Sequence, residues 1–224
     1  MNKSILVIAA HPDDEVLGCG GTIARHLNDG DEIHVVFMSD GVASRIHANN
    51  EEVNERKQAA INASNILRVK NKPIFLGLPD NRMDTLALLD IVQSLEEIIN
   101  EIKPEVIYTH HVGDLNIDHK VTHQAVMTAC RPQPEFCVRE IYSFEVLSST
   151  EWSTNNLFFP NYFVDISDTL ELKISAIKAY NSELRTFPHA RSIESIKALV
   201  KYRGGSMGIG AAEAFKVERL ISKT

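Results

Sequence analysis

Short apolar runs alternate along this chain with segments of helical periodicity, and this alternation limits the fold more than any other feature. The first run, residues 4–10, is rich in Ile and Val, as in a strand that helices cover on both faces. Strands that alternate with helices predict a parallel sheet with helices packed on both sides. We therefore expect an α/β protein whose sheet is mainly parallel.

The predicted elements follow one another in the order that such a sheet requires. Strands are predicted at 4–10, 32–38, 74–77, 105–109, 141–146 and 162–166, and helices at 15–28, 51–67, 86–102, 119–130, 169–184 and 193–202. The tail, 212–221, fits a helix and a strand equally well. The charged run Glu51, Glu52, Glu55, Arg56 and Lys57 is typical of a solvated helix face. The segment 147–161, rich in Ser, Thr and Asn, is expected to form an irregular lid or a specificity insert.

Length, charge and glycine placement limit the number of domains and the kinds of ligand that we expect. A chain of 224 residues suits one α/β domain, so we expect residues 1–224 to form a single domain. The net charge of −7 argues against a nucleic-acid surface, which would need clustered Lys and Arg. The glycine cluster at 204–210 follows no predicted strand, so it does not meet the pattern of a dinucleotide-binding loop.

Cysteine usage and the N-terminus indicate the compartment. The three cysteines are widely spaced and form no CxxC pair, which favours a reducing cytosol over a disulfide framework. The first apolar run is too short for a signal-peptide core or for a membrane span. We therefore expect a cytoplasmic protein without a membrane span.

Two short polar motifs carry the chemistry. The first is Ala10-His11-Pro12-Asp13-Asp14-Glu15, after the first predicted strand, and the second is Asn116-Ile117-Asp118-His119, after the fourth. Each opens a segment of helical periodicity. Ligands bind an open parallel sheet where its strands end and its helices begin. The two motifs therefore predict one metal site that is assembled from two crossovers.

The residue types suit a transition metal. His11 and Asp14 are three residues apart, so at the start of a helix both can face one ion. His119 is the natural third ligand from the second motif. Catalytic zinc sites hold three protein ligands and keep a fourth position for water. His, Asp and His suit Zn²⁺, although iron, cobalt or manganese could also be accepted.

Such a site predicts hydrolysis of an amide or an ester. A catalytic metal lowers the pKa of water towards about 7, and a free carboxylate beside it can act as the base. Asp13 is the expected base, because it lies near the ion without binding to it. Asp118 is expected to accept a hydrogen bond from a ligand imidazole and so fix its tautomer.

These residues resemble the LmbE-like, or PIG-L, zinc-dependent de-N-acetylases. The resemblance rests on residues 10–15, on Gly18-Cys19-Gly20-Gly21 and on Asp118-His119, and its overall layout covers most of the chain. It implies a Rossmann-like three-layer fold that binds no dinucleotide. It also implies removal of acetyl groups from N-acetylglucosamine units, with homo-oligomers common in the family. The implied roles are zinc binding by His11, Asp14 and His119 and base catalysis by Asp13.

The second motif departs from the family pattern at one position. Many members have His where this chain has Asn116, and that His is thought to stabilise the oxyanion. Asn116 can donate an amide N–H, but it cannot carry a positive charge. We expect Asn116 to donate to the oxyanion directly, and His110 or His111 is the alternative source of an imidazole.

Two further residues are candidate parts of the site. Arg45 follows the second strand and so lies on the same rim, where it could bind a substrate phosphate, carboxylate or hydroxyl group or remain a solvated loop charge. His123 lies one helical turn after His119, but a structural helix histidine is the default interpretation.

The sequence thus predicts a zinc-dependent hydrolase that removes an N-acetyl group from a small amino-sugar substrate or conjugate. One alternative is an amidase that acts on cysteine or thiol conjugates. Another is a Rossmann-like protein that binds Mg²⁺-nucleotides or transfers sugars, with Asp13 and Asp14 as metal ligands. Because Mg²⁺ prefers oxygen ligands, His11 and His119 argue against this last alternative.

Overall fold

The computed structural model describes residues 2–46 and 49–222, which are built around one sheet. Its strands are β1 (Ser4–Ala9), β2 (Glu32–Ser39), β3 (Ile74–Leu78), β4 (Val106–His110), β5 (Glu140–Phe144), β6 (Tyr162–Asp165) and β7 (Ala212–Leu220). Its helices are α1 (Asp14–Asn28), α2 (Asn50–Leu67), α3 (Leu88–Ile102), α4 (Ile117–Ala129), α5 (Leu170–Lys178) and α6 (Ile193–Gly205).

The sheet has the strand order β3-β2-β1-β4-β5-β7-β6. Strands β1 to β5 run parallel to one another, and β7 runs antiparallel to both β5 and β6. The predicted fold class, a Rossmann-like mainly parallel sheet, is therefore confirmed. The ambiguous tail forms β7, with Phe215 opposite Phe144 of β5 and opposite Tyr162 of β6.

Helices cover both faces of the sheet, because successive side chains of each strand point to opposite sides. Ile5, Val7 and Ala9 of β1 belong to a core that includes α1, α2, α5 and α6. Leu6 and Ile8 belong to a second core with α3 and α4. Full burial of side chains of this size contributes about 1.5–3 kcal/mol each, so β1 anchors the two layers to each other.

The strand order reverses direction at β1, which places a crevice there. The chain runs from β1 outwards to β2 and β3, and then returns to add β4 on the other side of β1. The carboxyl ends of β1 and β4 are therefore neighbours, with Val7 opposite Tyr108 in the ladder. This is the place where open α/β sheets bind ligands, and both polar motifs begin there.

Two local expectations were wrong. The helix predicted at 169–184 ends at Lys178, and a short 3₁₀ turn at Asn181–Glu183 follows it. Arg56 is not on a solvated face, since only 4% of its side chain is exposed and it lies against two carboxylates. Among the described residues, no helix combines the length and the apolar character needed to cross a bilayer.

Candidate metal centre and active site

The first motif is held in an unusual backbone conformation at the end of β1. Asp13 has φ 113°, a value that residues other than glycine rarely adopt. The Glu15 carboxylate fixes this turn, because it accepts the Asp13 backbone N–H at 3.0 Å and the Tyr180 hydroxyl at 2.6 Å. A conformation of this kind costs about 1–3 kcal/mol and persists where the surroundings impose it, often at functional sites.

The structure brings His11, Asp14 and His119 together. Their nearest donor atoms all lie within 4.8 Å of one another, and all three residues are buried. The Asp14 Oδ2 atom is 3.2 Å from His11 Nδ1 and 3.3 Å from His119 Nε2. Two crossovers separated by more than a hundred residues of chain thus contribute to one group.

Carboxylates orient both imidazoles. The Nε2 atom of His11 is 3.2 Å from Asp118 Oδ2 and 3.4 Å from Asp80 Oδ1. The Nδ1 atom of His119 is 3.1 Å from Asp114 Oδ2. With a metal bound, a proton on each nitrogen that faces Asp118, Asp80 or Asp114 would leave His11 Nδ1 and His119 Nε2, the nitrogens near Asp14, to bind the ion. Carboxylates hold the imidazole ligands of metal sites in this way.

The donor set fits a divalent transition metal. Asp14 Oδ1 is buried and has no hydrogen-bond partner within the described residues, so the carboxylate retains unused coordination capacity. Burial alone would lower the pKa of His119, but Asp14 and Asp114 outweigh it and raise that pKa to about 9. The negative surroundings therefore favour positive charge at this point. Two imidazoles and one carboxylate match zinc in ligand type.

A second set of donors shares His11. It consists of His11, Asp80 and Asp118, whose nearest atoms also lie within 4.8 Å of one another. The carboxylates of this set already accept backbone N–H groups: Asp118 from Asn81 at 2.7 Å and from Met83 at 3.1 Å, and Asp80 from Ser44 at 2.9 Å. They act as anchors for His11 Nε2, so the set with Asp14 and His119 is the better metal site.

Asp13 lies beside the metal set but is held by arginines. Its Oδ2 atom is 2.8 Å from Arg191 and 3.2 Å from Arg56, while Oδ1 is buried without a partner in the described structure. Burial raises the pKa of the Asp13 carboxyl, although the positive charges of Arg191 and Arg56 oppose that shift. One oxygen is therefore fixed, and the other is available for a proton.

A small polar cavity of about 100 Å³ opens next to these groups. Its lining includes His11, Asp13, Asn81 and Asn116. Asn116 caps α4, because its side-chain oxygen accepts the Asp118 N–H at 2.8 Å, while its amide nitrogen donates to Asn81 at 3.2 Å. The second amide hydrogen of Asn116 can face the cavity.

Glycine is required at one point of the cavity wall. Gly41 follows β2 with φ 72°, and a Cβ there would lie 2.9 Å from the Cβ of His11. The loop after β2 can therefore pass this close to the metal set only without a side chain.

The other candidate histidines, His110, His111 and His123, contact backbone atoms of this chain. His110 is fully buried, and its Nε2 accepts the Ala10 N–H at 2.8 Å while its ring stacks on His119. His111 Nε2 lies 2.7 Å from the Asn156 carbonyl oxygen, and His123 Nδ1 lies 2.8 Å from the His110 carbonyl oxygen. None of the three lines the polar cavity that the described residues form beside Asn116.

Arg45 lies on the predicted rim but is paired with an acidic residue of this chain. Its guanidinium is 2.7 Å from Glu183, and 43% of its side chain is exposed. Glu183 also lies 2.9 Å from Arg56 and 3.4 Å from Arg191. The structure therefore places Arg45 in a network next to Asp13 rather than directly over the metal set.

Four site residues were not singled out as such by the sequence. Asp80 follows β3 at the carboxyl-end edge of the sheet, and this position alone could have indicated that Asp80 lies near the site. Asp114 accepts the Asn116 N–H two residues on, as a turn residue does, yet it also faces His119. Arg56 and Arg191 come from a charged helix and from a loop, and no local pattern distinguishes them from surface arginines.

Loss of Asp114 is expected to weaken metal binding about 10- to 100-fold, since it faces the far nitrogen of His119. An Asp114→Ala variant titrated with zinc against a chromophoric chelator measures this effect. Asp168→Ala is the matched control, because Asp168 is an exposed aspartate between β6 and α5. An affinity equal to the wild type in Asp114→Ala would rule out the orienting role.

Comparison with known proteins finds similarity to deacetylases over most of the chain. The family model PIG-L: GlcNAc-PI de-N-acetylase matches residues 6–130, more than half of the sequence. The uncharacterized deacetylase YaiS of Escherichia coli (strain K12) is 34% identical over an alignment of 186 residues, and the match covers 80% of this chain and 91% of that protein. The probable N-acetyl-alpha-D-glucosaminyl L-malate deacetylase 2 of Bacillus subtilis (strain 168) is 31% identical over an alignment of 196 residues, and the match covers 82% of this chain and 84% of that protein.

A solved structure extends the likeness to the fold. The crystal structure of the 4-carboxy-2-hydroxymuconate hydratase from Pseudomonas putida KT2440 has a TM-score of 0.78 and 22% identity. The alignment covers 99% of this chain and 98% of the hydratase. At 22% sequence identity, this structural likeness shows a shared fold and nothing about the reaction. The match to the family model and the two deacetylase relatives go further: this chain is a member of the PIG-L de-N-acetylase family.

Proposed function

We propose that this protein hydrolyses the N-acetyl group of a small amino-sugar conjugate with the help of a divalent metal, Zn²⁺ first among the candidates. The ligands would be His11, Asp14 and His119. The convergence of these three residues from two crossovers beside Asp13 is the observation that carries the proposal. The deacetylase relatives support the reaction class.

The chain's own residues would handle the protons. When bound, a zinc ion would polarise the amide carbonyl and lower the pKa of water towards about 7. Asp13 Oδ1, which has no partner among the described residues, would accept a proton from the attacking water. Asp13 would then pass that proton to the amine as the C–N bond breaks, so that acetate and a free amine leave.

Asn116 would donate its free amide hydrogen to the developing oxyanion. Replacing it with serine keeps an oxygen that can cap α4, because serine is also a good N-cap residue. We expect Asn116→Ser to lose about 10²–10³ in rate, which is the usual cost of a missing oxyanion donor. Metal content should stay at the wild-type level. Wild-type turnover in this variant would dismiss the assignment.

The polar cavity beside Asn116 supports a hydroxylated substrate. Carboxylate, amide and guanidinium groups line it, and these suit the hydrogen bonds of a sugar ring. The Bacillus subtilis relative is named for an N-acetylglucosaminyl malate substrate, and on that basis we propose the same type of amino-sugar conjugate for this chain. Arg45, partly exposed on the rim, would contact the more distant part of the conjugate.

A screen for released acetate tests the proposal. Zinc-loaded protein would be incubated with N-acetylglucosamine conjugates that carry nucleotide, inositol, malate or thiol groups, and with S-linked cysteine amides. Acetate and free amine should appear in equal amounts for at least one amino sugar. Turnover of the cysteine amides alone would favour the amidase. Nucleotide binding that needs Mg²⁺ without acetate release would favour the nucleotide-binding alternative.

The same fold also carries a hydratase, so the fold alone does not select hydrolysis. The two relatives named as deacetylases, each more than 30% identical, are the reason for preferring it. Hydration of an unsaturated dicarboxylate without acetate release in the screen would reverse this preference.

Two broader proposals accompany the function. We propose that residues 1–224 act as one PIG-L domain, because β5, β6 and β7 extend the sheet that the family match begins. We also propose a cytoplasmic setting, which is supported by the free thiols of Cys19, Cys130 and Cys137.

A further inference from the structure

Arg191 reaches Asp13 from a distant part of the chain. It lies just before α6, and its side chain is 21% exposed, whereas that of Asp13 is 4% exposed. Its guanidinium donates to Asp13 Oδ2 at 2.8 Å, and Arg56 lies on the same oxygen at 3.2 Å. Oδ1 of Asp13 has no partner within the described residues. The two carboxylate oxygens therefore have different surroundings.

Arg191 is itself fixed by the turn after β5. Its Nε atom donates to Ser148 Oγ at 2.6 Å, and the Ser148 N–H donates to Glu151 at 2.6 Å. Ser149 and Thr150 of the same turn donate to Asp114, which faces the ligand His119. One turn thus supports both the group that orients His119 and the arginine that reaches Asp13.

A carboxylate held by one oxygen presents the other in a defined direction. The χ2 torsion of aspartate has broad wells, so an unheld side chain can exchange its two oxygens and change its angle. Misplacement of a reacting group by about 1 Å costs about 10² in rate. A fixed Oδ2 prevents this loss at little energetic cost during the reaction.

We propose that Arg191 is a positioning residue, which holds Asp13 Oδ2 so that Oδ1 faces the reacting water. This role rests on the proposed function, in which Asp13 is the base. It differs from a purely structural anchor for residues 181–192, because an anchor would affect folding or substrate binding rather than turnover. It also differs from a direct substrate contact, whose loss would raise KM.

Kinetics of Arg191→Ala and Arg191→Lys separate these roles. With the amino-sugar substrate from the acetate screen, kcat of Arg191→Ala should fall about 10²-fold, while KM and bound zinc stay close to the wild type. Millimolar methylguanidine added to Arg191→Ala should restore part of the lost kcat. The Arg191→Lys variant should also keep part of the wild-type kcat. Arg185→Ala is the matched control, because Arg185 is exposed on the same segment and donates to backbone carbonyls there.

Three results would overturn the role: an unchanged kcat in Arg191→Ala, a raised KM with normal kcat, or a drop in kcat that neither added methylguanidine nor the Arg191→Lys substitution relieves.

A double-mutant cycle on the free energy of unfolding in urea gives a readout that needs no turnover. The variants are Asp13→Ala, Arg191→Ala and their combination, and a non-zero coupling is expected for a partly buried ion pair. If the wild type hydrolyses no amino sugar, the proposed function fails, and the coupling still decides whether Arg191 holds Asp13. Zero coupling would refute that contact.

Discussion

A His119→Ala variant should bind no stoichiometric zinc after dialysis, and its acetate release should fall at least about 10³-fold. His119 Nε2 lies 3.3 Å from Asp14 Oδ2 in a buried group, and His110 Nε2 lies 3.4 Å from the same oxygen. His110 is stacked on His119, but its Nε2 is occupied by the Ala10 N–H. A Lewis-acid metal supplies several kcal/mol, and each 1.36 kcal/mol is tenfold in rate.

Metal content measured by plasma mass spectrometry and acetate release measured on the same sample test this prediction. His34→Ala is the matched control, because His34 lies near the start of β2, away from the carboxyl ends of the strands. The substitution removes a buried imidazole and could disturb folding, so far-UV circular dichroism is used to check that His119→Ala is folded. Full zinc occupancy with normal turnover in the folded His119→Ala protein would contradict the ligand assignment.

The Asp13→Asn variant should keep its zinc and lose about 10²–10⁴ in kcat. The amide preserves the size of the side chain and one oxygen for Arg191, but it cannot take a proton from water. Asp14, the neighbouring ligand, makes its contacts with His11 and His119 through its own carboxylate. Removal of the base should therefore separate chemistry from metal binding, which His119→Ala cannot do.

A matched control for Asp13→Asn is Asp90→Asn, an exposed aspartate in the first turn of α3. Single-turnover acetate release and zinc content would be measured for both. A kcat near that of the wild type would remove Asp13 from the role of base. Loss of zinc in Asp13→Asn would instead make Asp13 part of the metal site.

The local sequence pattern predicted most of the fold, because burial repeats within each element. β1 is apolar on both sides since helices cover both faces, and this is visible in residues 4–10. The tail could not be assigned, because β7 owes its extended form to ladders with β5 and β6 that are distant in sequence. The helix predicted to reach residue 184 stops early, and Glu183 lies instead beside Arg45 and Arg56.

The candidate site was predictable where residues lie in a motif and unpredictable where they meet only in three dimensions. His11, Asp14 and His119 follow strands that are neighbours in any sheet of this type, so their meeting could be anticipated. Arg191 reaches Asp13 across more than 170 residues, and nothing in its local sequence marks that contact. Arg56 looked like a solvated charge because its neighbours are charged, yet α2 turns it inwards.

Anomalous diffraction at the zinc edge from crystals of zinc-loaded wild-type protein tests the central claim most directly, since His11 belongs to two sets of donors. We predict one full-occupancy peak bonded to His11 Nδ1, the Asp14 carboxylate and His119 Nε2, with Asp118 still beside His11 Nε2. A peak bonded to His11 Nε2, Asp80 and Asp118, or a well-ordered site without any peak, would contradict it.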